Sequence, residues 1–182
     1  MIGDKWYFHA SAISDEVVDA IHKAAFDVAH TQIDGATFNN DSEWRKSKII
    51  FMSHREDIRN AMYKFVVEAN RETFDIAVEN YGDIQYSTYH EDDGGHYNWH
   101  HDVDYNVRTA YHRKFSLVCQ LTDPSEYEGG DLLFEGMDEP VENFRQKGSV
   151  FVFPSYLPHK VTPVTKGMRN SLVIWFEGPR WR

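Results

Sequence analysis

The chain of 182 residues carries 29 acidic and 19 basic side chains, a formal net charge of −10, with 41% hydrophobic and 26% charged residues. Such usage is that of a globular chain able to bury a sizeable core, and its acidity argues against a sequence-independent grip on nucleic acid, which needs basic patches. A lone cysteine, Cys119, excludes an intrachain disulfide; with no apolar run long enough to span a bilayer and no basic-then-apolar leader, a cytoplasmic, reducing setting without membrane partners is expected.

In chain order, the aromatic run Lys5-Trp6-Tyr7-Phe8-His9 reads as a first strand. Ser14 is a candidate N-cap, Asp15 and Glu16 suit a first turn, and Val17, Val18, Ile21, Ala24, Ala25 and Val28 repeat at helical spacing, so a helix is expected over residues 15–29. Residues 31–43 read as loop, and 46–52, around Ile49-Ile50-Phe51, as one strand. Ile58, Ala61, Met62, Phe65, Val66 and Ala69 predict a second helix from about Asp57 towards Ala77. Both helices are scaffold expected to pack on a sheet.

Beyond Gly82 the texture becomes extended. Residues 84–89 alternate, 91–95 form a turn, and 96–105 read as a strand. Residues 106–113 are expected to loop out, and 115–121 to return as a strand in which Cys119 is a buried, inert thiol. Gly129-Gly130 punctuates, and further strands are expected at 131–134, 148–154, 159–165 and 170–176. Short strands with regular turns suggest a sandwich or small barrel. The fold class is α+β, mainly β: one domain over 1–182, with a scaffold over about 1–80 and a β core over about 81–178.

The chemistry gathers in Tyr97-Asn98-Trp99-His100-His101-Asp102. On a strand, His100 and Asp102 share a face. With His159, from Pro158-His159-Lys160-Val161, they make two imidazoles and one carboxylate, a set that leaves open positions on a non-haem Fe(II). His101 is expected to face away, and His90, His96 and His112 to be surface or supporting groups. Arg169 and Ser171 share a strand face with Trp175, and a guanidinium fork beside a hydroxyl suits a carboxylate. Tyr97, Trp99, Tyr105 and Tyr111 are candidates for an aromatic substrate wall.

The run Tyr97 to Asp102, then Leu121-Thr122-Asp123-Pro124 with Tyr127-Glu128-Gly129-Gly130-Asp131-Leu132, then the stretch from Pro158 to Arg169, together resemble the Fe(II)/2-oxoglutarate dioxygenases, within them the prolyl-hydroxylase branch. The resemblance covers residues 81–178. It implies a double-stranded β-helix (jelly-roll) core, His100, Asp102 and His159 as iron ligands, and Arg169 as partner of the distal carboxylate of 2-oxoglutarate. It also implies Tyr89 as a residue lining the cosubstrate pocket, and the Arg-x-Ser spacing adds Ser171 beside it as an expected cosubstrate contact. Close relatives often place a tyrosine where this chain has Gln120, so that contact is made differently or lost; collagen-type members commonly carry lysine in place of Arg169. The implied chemistry uses Fe(II), 2-oxoglutarate and O2, with ascorbate as a reductant, and releases succinate and CO2. Asp102, where halogenating members have Gly or Ala, favours hydroxylation. The expected substrate is a prolyl residue of a peptide or protein. A free amino acid or other small molecule is the alternative, and a non-catalytic metal-binding jelly roll a third.

Overall fold

The computed structural model describes residues 5–35, 43–106, 110–137 and 140–181. Strand β1 (Tyr7–His9) leads to helix α1 (Asp15–Asp27). Ser14 occupies the N-cap position without a side-chain bond to the backbone; its hydroxyl serves the Glu16 carboxylate instead. The loop expected over 31–43 contains a short strand, β2 (Ile33–Asp34), and its remainder over 36–42 lies outside the described residues.

The single strand expected at 46–52 is two. β3 (Arg45–Lys46) and β4 (Lys48–Phe51) lie in different sheets, Arg45 pairing with Tyr97 and Ile49 with Ser87. Helix α2 (Glu56–Ala69) ends short of Ala77, because a wide turn over Asn70–Phe74 runs into Asp75 at φ 51°. The Asn70 side chain holds that ending by bonding both the N–H and the C=O of Ile76.

Strands β5 (Ile84–His90), β6 (His96–His100) and β7 (Tyr111–Gln120) follow. β6 is shorter than expected, so Asp102 lies past its end. β7 begins inside the stretch read as a loop, and 107–109 lie outside the described residues. β8 (Tyr127–Gly129), unforeseen beside Gly129-Gly130, precedes β9 (Leu132–Phe134) and β10 (Val150–Pro154). His159 opens β11 (His159–Val161), and β12 (Val164–Pro179) is one long strand joining two expected pieces.

The larger sheet has the order β1-β10-β7-β12-β5-β4-β2, with β8 added to β12; the smaller is β3-β6-β11-β9. This two-sheet arrangement is mainly β with both helices on the outer face of the larger sheet. There Val18, Ile21 and Ala25 of α1 and Met62, Phe65 and Val66 of α2 bury against Leu117, Cys119, Leu172, Ile174 and Phe176. Each fully buried large side chain contributes roughly 1.5–3 kcal/mol. Alternation turns the intervening residues of the same strands, Val118, Phe151 and Phe153 among them, between the sheets, where they meet Phe8, Phe134, Phe144 and Leu157. No helix among the described residues is long and apolar enough to cross a membrane.

Candidate metal and cosubstrate site

The smaller sheet brings the two histidines together. His159 is the antiparallel partner of His100, with the rings 4.2 Å apart. The chain then bends, and the Asp102 N–H donates to the Ser155 carbonyl at 2.8 Å, turning its carboxylate back towards both imidazoles. The convergence expected from strand alternation is thus real, but a bend held by Ser155 produces it.

Asp102 Oδ1 lies 3.7 Å from His100 Nε2, and Oδ2 3.6 Å from His159 Nε2. Such separations are too long for hydrogen bonds. One donor atom from each of the three residues lies within 4.8 Å of the others, which is the spacing of a metal site.

Backbone carbonyls fix both tautomers. His100 Nδ1 donates to the Asn98 carbonyl at 2.7 Å and His159 Nδ1 to the Leu157 carbonyl at 2.9 Å. A carbonyl only accepts, so each Nδ1 carries a proton and Nε2 is the atom each ring turns to the common centre. Burial, followed by the nearby His159, holds His100 well below the usual imidazole range, so it is neutral at physiological pH. Burial alone would raise the Asp102 acid. The pull of His159 and His100 in their protonated forms, with the Ser116 hydroxyl, outweighs it and holds the carboxyl low, and of these the Ser116 bond is the one that needs no protonated imidazole. Ser116 Oγ donates to Asp102 Oδ2 at 2.5 Å and sits 3.0 Å from Ser155 Oγ. Two imidazoles with Nε2 turned to a common centre and a carboxylate, with unspent donor atoms, fit a divalent transition metal.

The larger sheet supplies the opposite wall of a cavity of about 740 Å3. Arg169, Ser171, Val173 and Trp175 of β12 all line it, with Tyr89 of β5 beside them. Arg169 is 1% exposed, and its Nε donates to Gln120 Oε1 at 3.1 Å while its buried Nη1 has no partner. Its Cζ lies 5.4 Å from the Tyr89 ring centre. A buried guanidinium with an unspent donor, in the cavity that holds the three metal-type donors, fits a carboxylate ligand. Gln120, the residue for which the family resemblance implies a changed or lost contact, holds the arginine.

Of the proposed aromatic wall, Tyr97 and Tyr105 line the cavity, whereas Trp99 and Tyr111 are not among its lining residues. Trp99 lies under the Lys160 ammonium, 4.9 Å from its ring centre. His101 is exposed at the rim, and His96 bonds the Gly94 and Glu43 carbonyls. His112, expected to be a surface or supporting group, is buried, and its Nδ1 accepts from the Trp181 N–H at 3.4 Å.

Three lining or supporting groups escaped the sequence reading. Arg113 stacks 3.7 Å over the Trp175 ring, and Arg45 reaches the cavity from β3. Ser116 carried one available signal, a small polar residue at an inward position of an apolar strand.

Comparison with known proteins adds the lineage. The sequence profile described as "2OG-Fe(II) oxygenase superfamily" matches residues 84–177, just over half of the chain and the stretch that holds every residue of the triad and Arg169. The chain belongs to the 2OG-Fe(II) oxygenase superfamily. Within that superfamily, a PKHD-type hydroxylase of Aliarcobacter butzleri is 34% identical over 90 residues, which are 47% of this chain and 40% of that protein. A PKHD-type hydroxylase of Gloeothece citriformis is 44% identical over 62 residues, 34% of this chain and 28% of that protein. The match thus spans two-fifths or less of these relatives' length.

Solved structures agree on the fold. A Pseudomonas putida prolyl-4-hydroxylase superposes with TM-score 0.73 at 21% identity, covering 97% of this chain and 94% of that one. A viral collagen prolyl hydroxylase of Paramecium Bursaria Chlorella virus-1, solved with 2-oxoglutarate, gives 0.72 at 19% identity, covering 97% of each. A Trichoplax adhaerens prolyl hydroxylase, in complex with a hypoxia inducible factor peptide fragment, gives 0.73 at 14% identity, covering 95% of this chain and 83% of that one. The two-sheet core is therefore the oxygenase jelly roll with two helices on one face.

Proposed function

We propose that the chain is an Fe(II)- and 2-oxoglutarate-dependent dioxygenase that hydroxylates a C–H bond of a prolyl residue in a peptide or protein. The observation that carries the reading is that a buried guanidinium with an unpartnered nitrogen lines the same cavity as two tautomer-fixed imidazoles and an ionised carboxylate. His100, Asp102 and His159 would hold Fe(II). Bound with 2-oxoglutarate, the iron would supply the oxygen chemistry in which O2 is spent on decarboxylating the keto acid to succinate and CO2 and on hydroxylating the substrate; the keto acid is the two-electron reductant, and ascorbate would serve only to return oxidised iron to Fe(II).

The protein's share is placement and exclusion of water. The carbonyls of Asn98 and Leu157 keep both imidazoles aimed inward, and Ser116 keeps Asp102 turned towards them. Arg169, steadied by Gln120, is the partner for the distal carboxylate of 2-oxoglutarate, with Tyr89 and Ser171 beside it. Trp175 under Arg113 forms the wall facing the substrate.

A metal held for structure alone is the weaker reading. Among the described residues the cluster offers three donors, not the four of a closed site, and Arg169 faces the cavity rather than away from it. The same chemistry on a free amino acid gains some support from the cavity, whose 740 Å3 suits a small molecule.

The test is succinate formation from 2-oxoglutarate with Fe(II) and ascorbate, with proline-containing peptides and free L-proline as candidates, alongside mass spectrometry for one added oxygen. Arg169→Gln should weaken 2-oxoglutarate binding by about 30-fold or more, the cost of losing one side of a buried charge pair. Failure of the wild-type protein to bind 2-oxoglutarate in the presence of Mn(II) would overturn the proposal.

A further inference from the structure

Among the described residues that line the cavity, the oxygenase reading leaves one buried cation unexplained. Arg45 pairs with Tyr97 at the edge of the smaller sheet and is 8% exposed. Its Nε donates to Ser47 Oγ at 2.8 Å. Its Cζ lies 4.4 Å from the Tyr97 ring centre, and Tyr97 in turn stacks on His100 at 3.4 Å and 11°. The guanidinium is thus one ring away from a proposed iron ligand. On another side the chain closes over it at Gly35, where a Cβ would come within 2.5 Å of Arg45 Nε and 2.3 Å of Ser47 Oγ. Although Arg45 lines the cavity, its buried Nη2 has no partner, and no ion pair is formed with a carboxylate among the described residues.

Charge balance indicates what is missing. A divalent iron and Arg169 together cancel Asp102 and doubly charged 2-oxoglutarate. Asp104 and Arg113 also line the cavity, but at its rim where water reaches them. Arg45 is then the uncompensated buried charge among the described lining residues. An unpaired buried cation is costly, and a neutral peptide carbonyl would occupy the donor without cancelling the charge. A carboxylate would do both, and the planar guanidinium suits it.

We infer that Arg45 anchors a carboxylate of the substrate, so that the molecule hydroxylated here carries an acid group close to its reacting carbon. The inference rests on the oxygenase reading and narrows it. A prolyl residue inside a neutral peptide does not satisfy the site. The carboxylate comes from a free amino acid, a peptide C-terminus or an acidic side chain flanking the reacting residue.

The experiment is binding calorimetry on the protein loaded with Mn(II), with and without 2-oxoglutarate, using matched probes. These are L-proline against L-prolinamide, acetyl-Gly-Pro against its C-terminal amide, and an amidated peptide with Glu-Pro against the same peptide with Gln-Pro. In at least one pair the acid should bind about tenfold or more tightly than its neutral partner, as expected for pairing a buried charge. The pair that discriminates identifies the source of the carboxylate. Arg45→Gln should reduce that discrimination to about twofold or less, with Arg45→Lys between, because a point charge lacks the fork.

The proposal is overturned if no pair discriminates in the wild-type protein, a comparison that needs no variant to fold. It is equally overturned if discrimination survives in Arg45→Gln, or if that variant loses 2-oxoglutarate affinity as Arg169→Gln does, which would assign Arg45 to the cosubstrate. Should the wild-type protein bind no 2-oxoglutarate, the oxygenase reading fails separately, and the probes with Mn(II) alone still decide the role of Arg45.

Discussion

Ser116 stands behind Asp102, and its hydroxyl can be removed with little change of volume. It is fully buried in β7 and donates to Asp102 Oδ2 at 2.5 Å, with Ser155 Oγ 3.0 Å away. Ser116→Ala leaves the buried carboxylate with one donor fewer. A hydrogen bond to a charged group contributes about 1.5–3 kcal/mol. At about 2 kcal/mol, the metal-free protein should melt about 4–8 °C lower, since 1 kcal/mol corresponds to about 2–4 °C at this chain length. The pH dependence has a definite sign. Asp102 is held below its ordinary range in the folded state, so its contribution is present above the unfolded carboxylate value and is lost as pH falls through the depressed one. The gap between wild type and variant should therefore be full near neutral pH and close only in strong acid. Metal affinity should fall as well, by about 10–100-fold, as for other groups that orient a ligand from behind. Scanning calorimetry in chelator at neutral and acid pH, with Mn(II) titration at neutral pH, reads both quantities. A variant that matches the wild type in melting temperature and in metal affinity would refute the argument that Ser116 holds Asp102 ionised and in place.

Gln120→Leu strands Arg169 Nε in a buried setting, so 2-oxoglutarate affinity should fall by about tenfold while Mn(II) affinity stays put; equal loss of both would contradict this division of labour. Gly129 sits at φ 71° with the Pro163 carbonyl 2.1 Å from where a Cβ would stand, so Gly129→Ala should cost about 2 kcal/mol or more in urea unfolding, and a neutral outcome would show that the β8–β12 corner yields. The Cys119 thiol is fully buried, and burial pushes its pKa far up. It should resist a disulfide reagent in the native protein and react once the chain is unfolded. Rapid labelling under native conditions would mean that the helix-facing core opens.

The periodic elements were legible because their signals are local. Helices α1 and α2, the strand at β5 and the apolar alternation in β7 and β10 follow from side-chain spacing, and the triad with Arg169 from motif and order. What escaped depends on contacts distant in sequence. Nothing local shows that the chain changes sheet between Lys46 and Lys48, because the change is enforced by pairing with β6 on one side and β5 on the other. β8 is a short strand defined by its partner, with register shifts where β12 bends around it. For His112 the polar stretch left surface and supporting roles both open, and the fold decides between them by covering it near Trp181, almost seventy residues on. Arg45 and Arg113 were ordinary basic residues in sequence. Only the fold shows that one is buried without an ion pair among the described residues and the other lies flat on Trp175.

The space between the sheets has two characters, and that division positions the chemistry. At one end Phe8, Phe134, Phe151 and Phe153 fill it with a continuous apolar cluster. At the other, the inward positions of β5, β7 and β12 carry Gln85 and Ser87, Ser116 and Gln120, and Arg169 and Ser171, all buried. A sheet interior selected for stability alone would not carry such a polar row, because each buried polar group must find a partner. Several find one another: Gln85 donates to Ser87, Ser116 to Asp102, and Arg169 to Gln120. The nitrogens left over on Arg169, Arg45 and Trp175 belong to residues that all line the same cavity. Because strand side chains alternate, slipping β12 by one residue against β5 would turn Arg169 into the helix-facing core and bring Leu172 to the cavity. Helix packing on the outer face of the larger sheet thus fixes the register that aims the guanidinium, and mutations in the α1–α2 layer should reach 2-oxoglutarate affinity before Mn(II) affinity, because the two candidate histidine ligands stand on the smaller sheet.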